Sequence, residues 1–200
     1  MDSANSSTES DRARACVLVS GGLDSAACLE FMKSKGFDLT ALHVDLGQAA
    51  ASEEKRAAQN LCNHYGIPIQ FARWLGDSDR GSGEIVGRNA FLIFAAVMEC
   101  PSDGLLVIGI HSGTSYFDCG TEFVSEIQNL LSGYSNGRTQ VLAPFLTWDK
   151  RQVWEFCVAR NVPVELTYSC ERGGNPPCGS CLSCKDRKAL DALANLNHSA

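Results

Sequence analysis

Short runs of branched and apolar residues recur along the chain, separated by segments whose apolar positions return every three or four residues. Positions 15–19, 39–44, 67–72, 105–110 and 140–143 have the first pattern, that of strands covered on both faces in a parallel sheet. Positions 25–35 and 52–65 have the second, each stopping at a glycine, Gly36 and Gly66, and 88–100, 121–131 and 149–160 read the same way. A glycine just past the last periodic residue is a helix stop. The alternation of strand and helix predicts an α/β fold with a doubly wound parallel sheet, binding its ligands at the carboxyl ends of the strands.

The first strand runs straight into Ser20-Gly21-Gly22-Leu23-Asp24-Ser25 and then into a helix. Paired glycines carry no Cβ, so successive backbone N–H groups can turn around phosphate oxygens at the positive end of the following helix. The spacing and lysine of a Walker A loop are absent. The stretch resembles instead the PP-loop of ATP pyrophosphatases, which form AMP and pyrophosphate by adenylating a substrate. The plainer alternative is a strand-to-helix turn that needs small residues.

A second cluster lies near the end: Cys170, Cys178, Cys181 and Cys184, with Pro176, Pro177 and Gly179 as turn residues between them. Four thiolates from one compact segment can close a tetrahedral Zn²⁺ site with no open position, which reads as a structural metal. An iron–sulfur cluster and disulfides are the alternatives. The other six cysteines, Cys16, Cys28, Cys62, Cys100, Cys119 and Cys157, fall mostly on apolar faces and read as buried small hydrophobes.

Composition narrows the picture. With 200 residues and 44% hydrophobic content the chain can bury one substantial core but not two enzyme domains. The expected division is a disordered leader over 1–14, an ATP-binding α/β domain over 15–165, and a four-cysteine zinc-binding loop with a C-terminal helix over 166–200. A net charge of −6 argues against a broad basic face and disfavours nucleic acid as a partner. No apolar run approaches about 18 residues, and the first residues are polar, so neither a membrane span nor a signal peptide is expected and the protein is read as cytoplasmic.

The two motifs, in this order, resemble the 7-cyano-7-deazaguanine synthase (QueC) family. Asp45-Leu46-Gly47-Gln48, Gly87-Arg88-Asn89, Tyr116-Phe117-Asp118-Cys119 and Lys150 agree with it, and the cysteine segment is its most specific match. The resemblance implies an ATP-dependent, zinc-containing ligase. Its substrate is 7-carboxy-7-deazaguanine, whose carboxylate becomes an amide and then a nitrile with ammonia as nitrogen source. It also implies a homodimer.

On this reading Ser20, Gly21, Gly22, Leu23, Asp24, Ser25, His43 and Gln48 hold ATP, with Asp24 capping the helix and helping to hold Mg²⁺. Asp24, Ser25, Arg88 and Lys150 form the catalytic set, and Arg88, Asn89, His111 and Asp118 face the substrate. Plainer roles stay open at this point: paired surface charges for Arg88 and Lys150, helix caps for Asn89 and Asp118, and backbone-satisfied rings for His43 and His111. Trp148 and Trp154 flank an amphipathic helix and read as packing residues, while Trp74 precedes a polar segment, 76–83, that could cover the site.

Three departures from the family pattern fall on the substrate side. Gly120 stands where the family has arginine, the 73–87 connection is short, and Leu46 replaces a tyrosine. They leave two outcomes open: a nitrile-forming synthase, or a specialised relative such as the QueC-like proteins of antiphage systems, in which a protein amine captures the activated carboxylate. A tRNA-thiolating enzyme and a non-catalytic ATP-binding module are the more distant alternatives.

Overall fold

The computed structural model describes residues 12–74, 76, 84–100, 104–113 and 115–197. The expected leader therefore falls outside the described residues except at Arg12, Ala13 and Arg14, and so does most of the polar segment 76–83. Five strands, β1 (Arg14–Leu18), β2 (Asp38–Asp45), β3 (Ile69–Arg73), β4 (Gly104–Val107) and β5 (Thr139–Leu142), form one parallel sheet in the order β3-β2-β1-β4-β5. Six α-helices among the described residues accompany it: α1 (Leu23–Ser34), α2 (Ala51–Tyr65), α3 (Arg88–Glu99), α4 (Thr121–Ser135), α5 (Lys150–Ala159) and α6 (Leu182–Asn197).

Alternation along β1 explains the layering. Ala15, Val17 and Val19 join Leu29 and Met32 of α1, Leu61 of α2 and Val153 of α5 in one buried cluster. Cys16 and Leu18 point the other way, onto Ile93 of α3 and Phe123, Ile127 and Leu131 of α4. Helices thus cover both faces, as the unbroken apolar strands require. Phe145, 1% exposed, packs against Phe31, Trp148 and Phe156 at centroid distances of 5.8, 5.0 and 5.3 Å, tying α5 to α1. Trp154 is buried and Trp148 packs on the same cluster, so both tryptophans serve packing. No helix among the described residues is long and apolar enough to cross a membrane.

Several boundaries differ from the sequence pattern for local reasons. The fourth strand ends at Val107, although Ile108 N still donates to Leu142 O at 3.0 Å, and beyond it Gly109 passes over the first turn of α1, where a Cβ would come within 2.9 Å of the Asp24 backbone carbon. Helix α4 runs past Leu131 to Ser135: the Ser135 hydroxyl donates to Leu131 O and accepts from Thr139 N, and Asn136 ends the helix at φ 51°. Cys16 and Cys100 are buried as expected, but their sulfurs are bonded to each other, joining β1 to the end of α3.

Candidate functional site

The chain turns from the β1–β2–β3 side of the sheet to the β4–β5 side between β1 and β4, and such a reversal opens a crevice at the strand ends. A cavity of about 320 Å³ lies there, lined by Ser20, Asp24, Ser25, His43, Gln48, Glu54, Arg88, Asn89, Gly109, Glu171 and Ser183, among others.

Its floor is the glycine loop. Gly21 has φ +85°, and a Cβ on it would come within 2.5 Å of Glu54 O in α2, so only glycine lets the loop pass. The N-cap of α1 is Gly22, with no side-chain cap, which leaves first-turn N–H groups for an anion. Asp24 is thus not the expected cap; it sits inside the first turn. Ser25 Oγ donates to Gly22 O at 2.9 Å, and Ser20 Oγ lies 3.4 Å from it.

Lys150 is the first residue of α5, a poor place for a cation because the helix dipole is positive there. Asp24 Oδ2 compensates it at 2.6 Å, and His111 Nε2 stands 3.9 Å from the same oxygen. A capping box between Asp149 and Gln152 fixes this end of α5. Gly113 N donates to His111 Nδ1 at 3.0 Å, leaving the proton on Nε2, towards Asp24. Burial lowers the pKa of His111 below the ordinary histidine value, with Asp24 partly opposing and Lys150 reinforcing the shift. Asp24 Oδ1 is buried with no partner among the described residues.

On the α3 side, Asp118 caps α3 rather than α4: its Oδ2 accepts from Asn89 N at 3.1 Å, and Asn89 Nδ2 donates to Asp118 O at 2.9 Å. Both residues are thereby tied to each other, and Asn89 is 2% exposed. Arg88 reaches the cavity and makes no ion pair among the described residues. His43 Nδ1 bonds Val19 O at 2.8 Å, while its Nε2 is buried with no partner among the described residues. Trp74, 45% exposed, meets Phe91 edge to face at 5.1 Å and helps line a side cavity of about 150 Å³.

Sequence reasoning missed Glu54, Glu171 and Ser183. Glu54 Oε2 accepts from Gln48 Nε2 at 2.6 Å, and Gln48 Oε1 accepts from Leu46 N at 2.8 Å. Burial raises the Glu54 pKa above the ordinary carboxylate value. Two adjacent acids in the first turn of α2, Glu53 and Glu54, were the available signal.

The four expected cysteines converge, all ligand atoms lying within 4.8 Å of one another. Backbone N–H groups of Ser180 and Cys181 pull the Cys178 thiol down to about 5. Four convergent soft sulfurs of this kind suit a thiophilic metal or an iron–sulfur cluster. The cysteine loop also touches the glycine loop, where Tyr168 N donates to Gly21 O at 2.9 Å, and the turn before α2, where Gly173 presses so close to Ala49 that a Cβ would collide with its carbonyl.

The model of the queuosine biosynthesis protein QueC matches residues 14–74 and 82–195. The chain is 32% identical over 202 residues to a 7-cyano-7-deazaguanine synthase of Synechococcus sp. (strain RCC307), covering 86% of this chain and 91% of that protein. A relative of the same name from Haloarcula marismortui is 32% identical over 207 residues, covering 88% of this chain and 89% of that one. Among solved structures, the U34-tRNA thiolase NcsA from Methanococcus maripaludis, with its 4Fe-4S cluster, superposes with a TM-score of 0.54 at 16% identity, over 94% of this chain and 67% of that one. That likeness is one of fold. With the family model covering most of its length, the chain belongs to the QueC family.

Proposed function

We propose that this protein is an ATP-dependent ligase that adenylates the carboxylate of 7-carboxy-7-deazaguanine and passes it to a nitrogen nucleophile, with 7-cyano-7-deazaguanine as the product when that nucleophile is ammonia. The observation that carries the proposal is the meeting of Lys150 and His111 on Asp24, which lines the strand-end cavity in the first turn of an uncapped helix, in a chain of this family.

The carboxylate oxygen of the substrate attacks the α-phosphate, giving an acyl-adenylate and pyrophosphate. Ammonia then attacks the acyl carbon, AMP leaves with the C–O bond electrons, and an amide remains. Activation of the amide oxygen by a second ATP, followed by loss of AMP and a proton, gives the nitrile.

First-turn N–H groups of α1 and the Ser20 and Ser25 hydroxyls hold the departing pyrophosphate. Lys150, fixed by Asp24, places a cation beside the phosphates, and Arg88 supplies a second one from the opposite wall. Asp24 Oδ1, a buried hard oxygen with no protein donor, fits Mg²⁺. Such a cation would neutralise charge on the phosphate oxygens. Neutral His111 donates its Nε2 proton towards the same pocket without adding charge. Asn89 and Asp118 lock each other and so orient the wall that receives the substrate.

Zinc is the proposed occupant of the cysteine cluster. Zn–S bonds of about 2.3 Å set the sulfurs of a tetrahedron about 3.8 Å apart, close to the 4.0 Å between Cys178 and Cys184. An iron–sulfur cluster would hold its cysteines wider apart. The cytoplasm and a homodimer are the proposed setting and assembly.

A second reading, capture of the acyl-adenylate by a protein amine, is favoured by Gly120. It contributes no side chain at the N-cap of α4, beside the exposed Tyr116 and Phe117, which leaves room there for a larger nucleophile. Pyrophosphate release that requires both ATP and 7-carboxy-7-deazaguanine tests the activation step common to both readings; release with ATP alone, or none at all, would count against both.

A further inference from the structure

His43 and Glu54 enter the cavity from adjacent elements, the end of β2 and the first turn of α2. His43 is 1% exposed, and its Nδ1 lies 2.8 Å from the Val19 carbonyl, which can only accept, so Nδ1 carries a proton and in the neutral ring Nε2 is the acceptor. That nitrogen is buried with no partner among the described residues, a costly state unless a ligand donates to it. Glu54 is poised in the same sense. Gln48 occupies its Oε2 at 2.6 Å, whereas Oε1 has no donor among the described residues. Gln48 is itself pinned by Leu46 N at 2.8 Å, so the carboxyl cannot turn freely.

We propose that Glu54 Oε1 and His43 Nε2 form a pair of hydrogen-bond acceptors that reads the amino-bearing edge of a purine in this cavity, and so determines which purine the site takes. This rests on the proposed adenylation of a deazaguanine. Two sources of that edge exist in the reaction: the 6-amino group of ATP, and the N1–H and 2-amino group of the deazaguanine. Both present two N–H donors to two fixed acceptors. A site built to bond an N–H rejects an analogue lacking it, because its own polar atoms are then left unpaired.

Equilibrium titration calorimetry tests this in two arms. One compares ATP with inosine triphosphate, which carries a carbonyl in place of the 6-amine, without deazaguanine. The other compares 7-carboxy-7-deazaguanine with its 2-deamino analogue, without ATP. The expected wild-type result is a preference of about tenfold or more for the amino-bearing ligand in one arm, and that arm names the source. Glu54→Gln should reduce the preference to under about threefold: its oxygen must serve Gln48, which turns an NH2 group into the cavity where an acceptor stood. His43→Phe should do the same, and if it fails to fold, the Glu54→Gln variant decides. No wild-type preference in either arm, or variants that weaken all ligands equally or none, would overturn the proposal. The nucleotide arm contains no deazaguanine, so failure of the proposed activity registers in a different experiment.

Discussion

Lys150 Nζ lies 2.6 Å from Asp24 Oδ2, joining the first turns of α5 and α1 across 126 positions of sequence. Asp24 suits the positive end of α1, while Lys150 is disfavoured at the positive end of α5. The pair therefore holds a cation at a place where helix electrostatics alone would not, next to the proposed phosphate site. Asp24→Asn and Lys150→Met should each lower substrate-dependent pyrophosphate release by about 100-fold or more. The double variant should be little worse than either single, since the two act as a unit. Additive losses in pyrophosphate assays would show instead that they act independently.

Gly21 combines φ +85° with a backbone contact to α2. Gly21→Ala should destabilise the fold by about 1 kcal/mol or more and weaken ATP binding, as the loop withdraws from Glu54. Urea unfolding and ATP titration of the same variant measure both.

His111 links pH to stability. Its folded pKa is lowered, chiefly by burial, so between the folded value and about 6.5 the unfolded chain binds the extra proton. The contribution is fully present above about 6.5 and is lost as pH falls towards the folded value. Urea unfolding between pH 7.5 and 5 should show wild type losing stability on acidification, and His111→Phe losing less over the same window. Equal slopes would mean that His111 is not held neutral by its burial.

The cysteine loop should couple metal to nucleotide. Purified protein is expected to carry about one zinc per chain, and Cys178→Ser or Cys181→Ser should lower the melting temperature. Because Tyr168 donates to Gly21 O, stripping the metal should also weaken ATP binding. Metal analysis that finds stoichiometric iron, or metal-free protein with an unchanged melting curve, would contradict this.

Phe145 fills the space between α1 and α5. Its replacement by alanine should cost about 3–5 kcal/mol of stability in denaturant unfolding.

The apolar runs and helix stops placed all five strands and the helices between them, because period and punctuation are local properties. The cysteine cluster was legible for the same reason: its four residues lie within one short segment, whose turns bring them together. Contacts made at distance were not. Nothing in the neighbourhood of Asp118 says that it caps α3, and the pairing of Asp24 with Lys150 depends on how α5 packs through Phe145 onto α1. Glu54 was hidden in a helix that otherwise reads as an ordinary amphipathic one; only the close approach of Gly21 brings its turn to the cavity. The bonding of Cys16 to Cys100 likewise follows from β1 lying beneath the end of α3.

The mass of the product formed from 7-carboxy-7-deazaguanine, ATP and Mg²⁺, with and without ammonia, tests the central claim most directly. The account predicts pyrophosphate in both cases on activation, and AMP together with 7-cyano-7-deazaguanine only when ammonia is present. A substrate that returns unchanged while ATP is intact would contradict it.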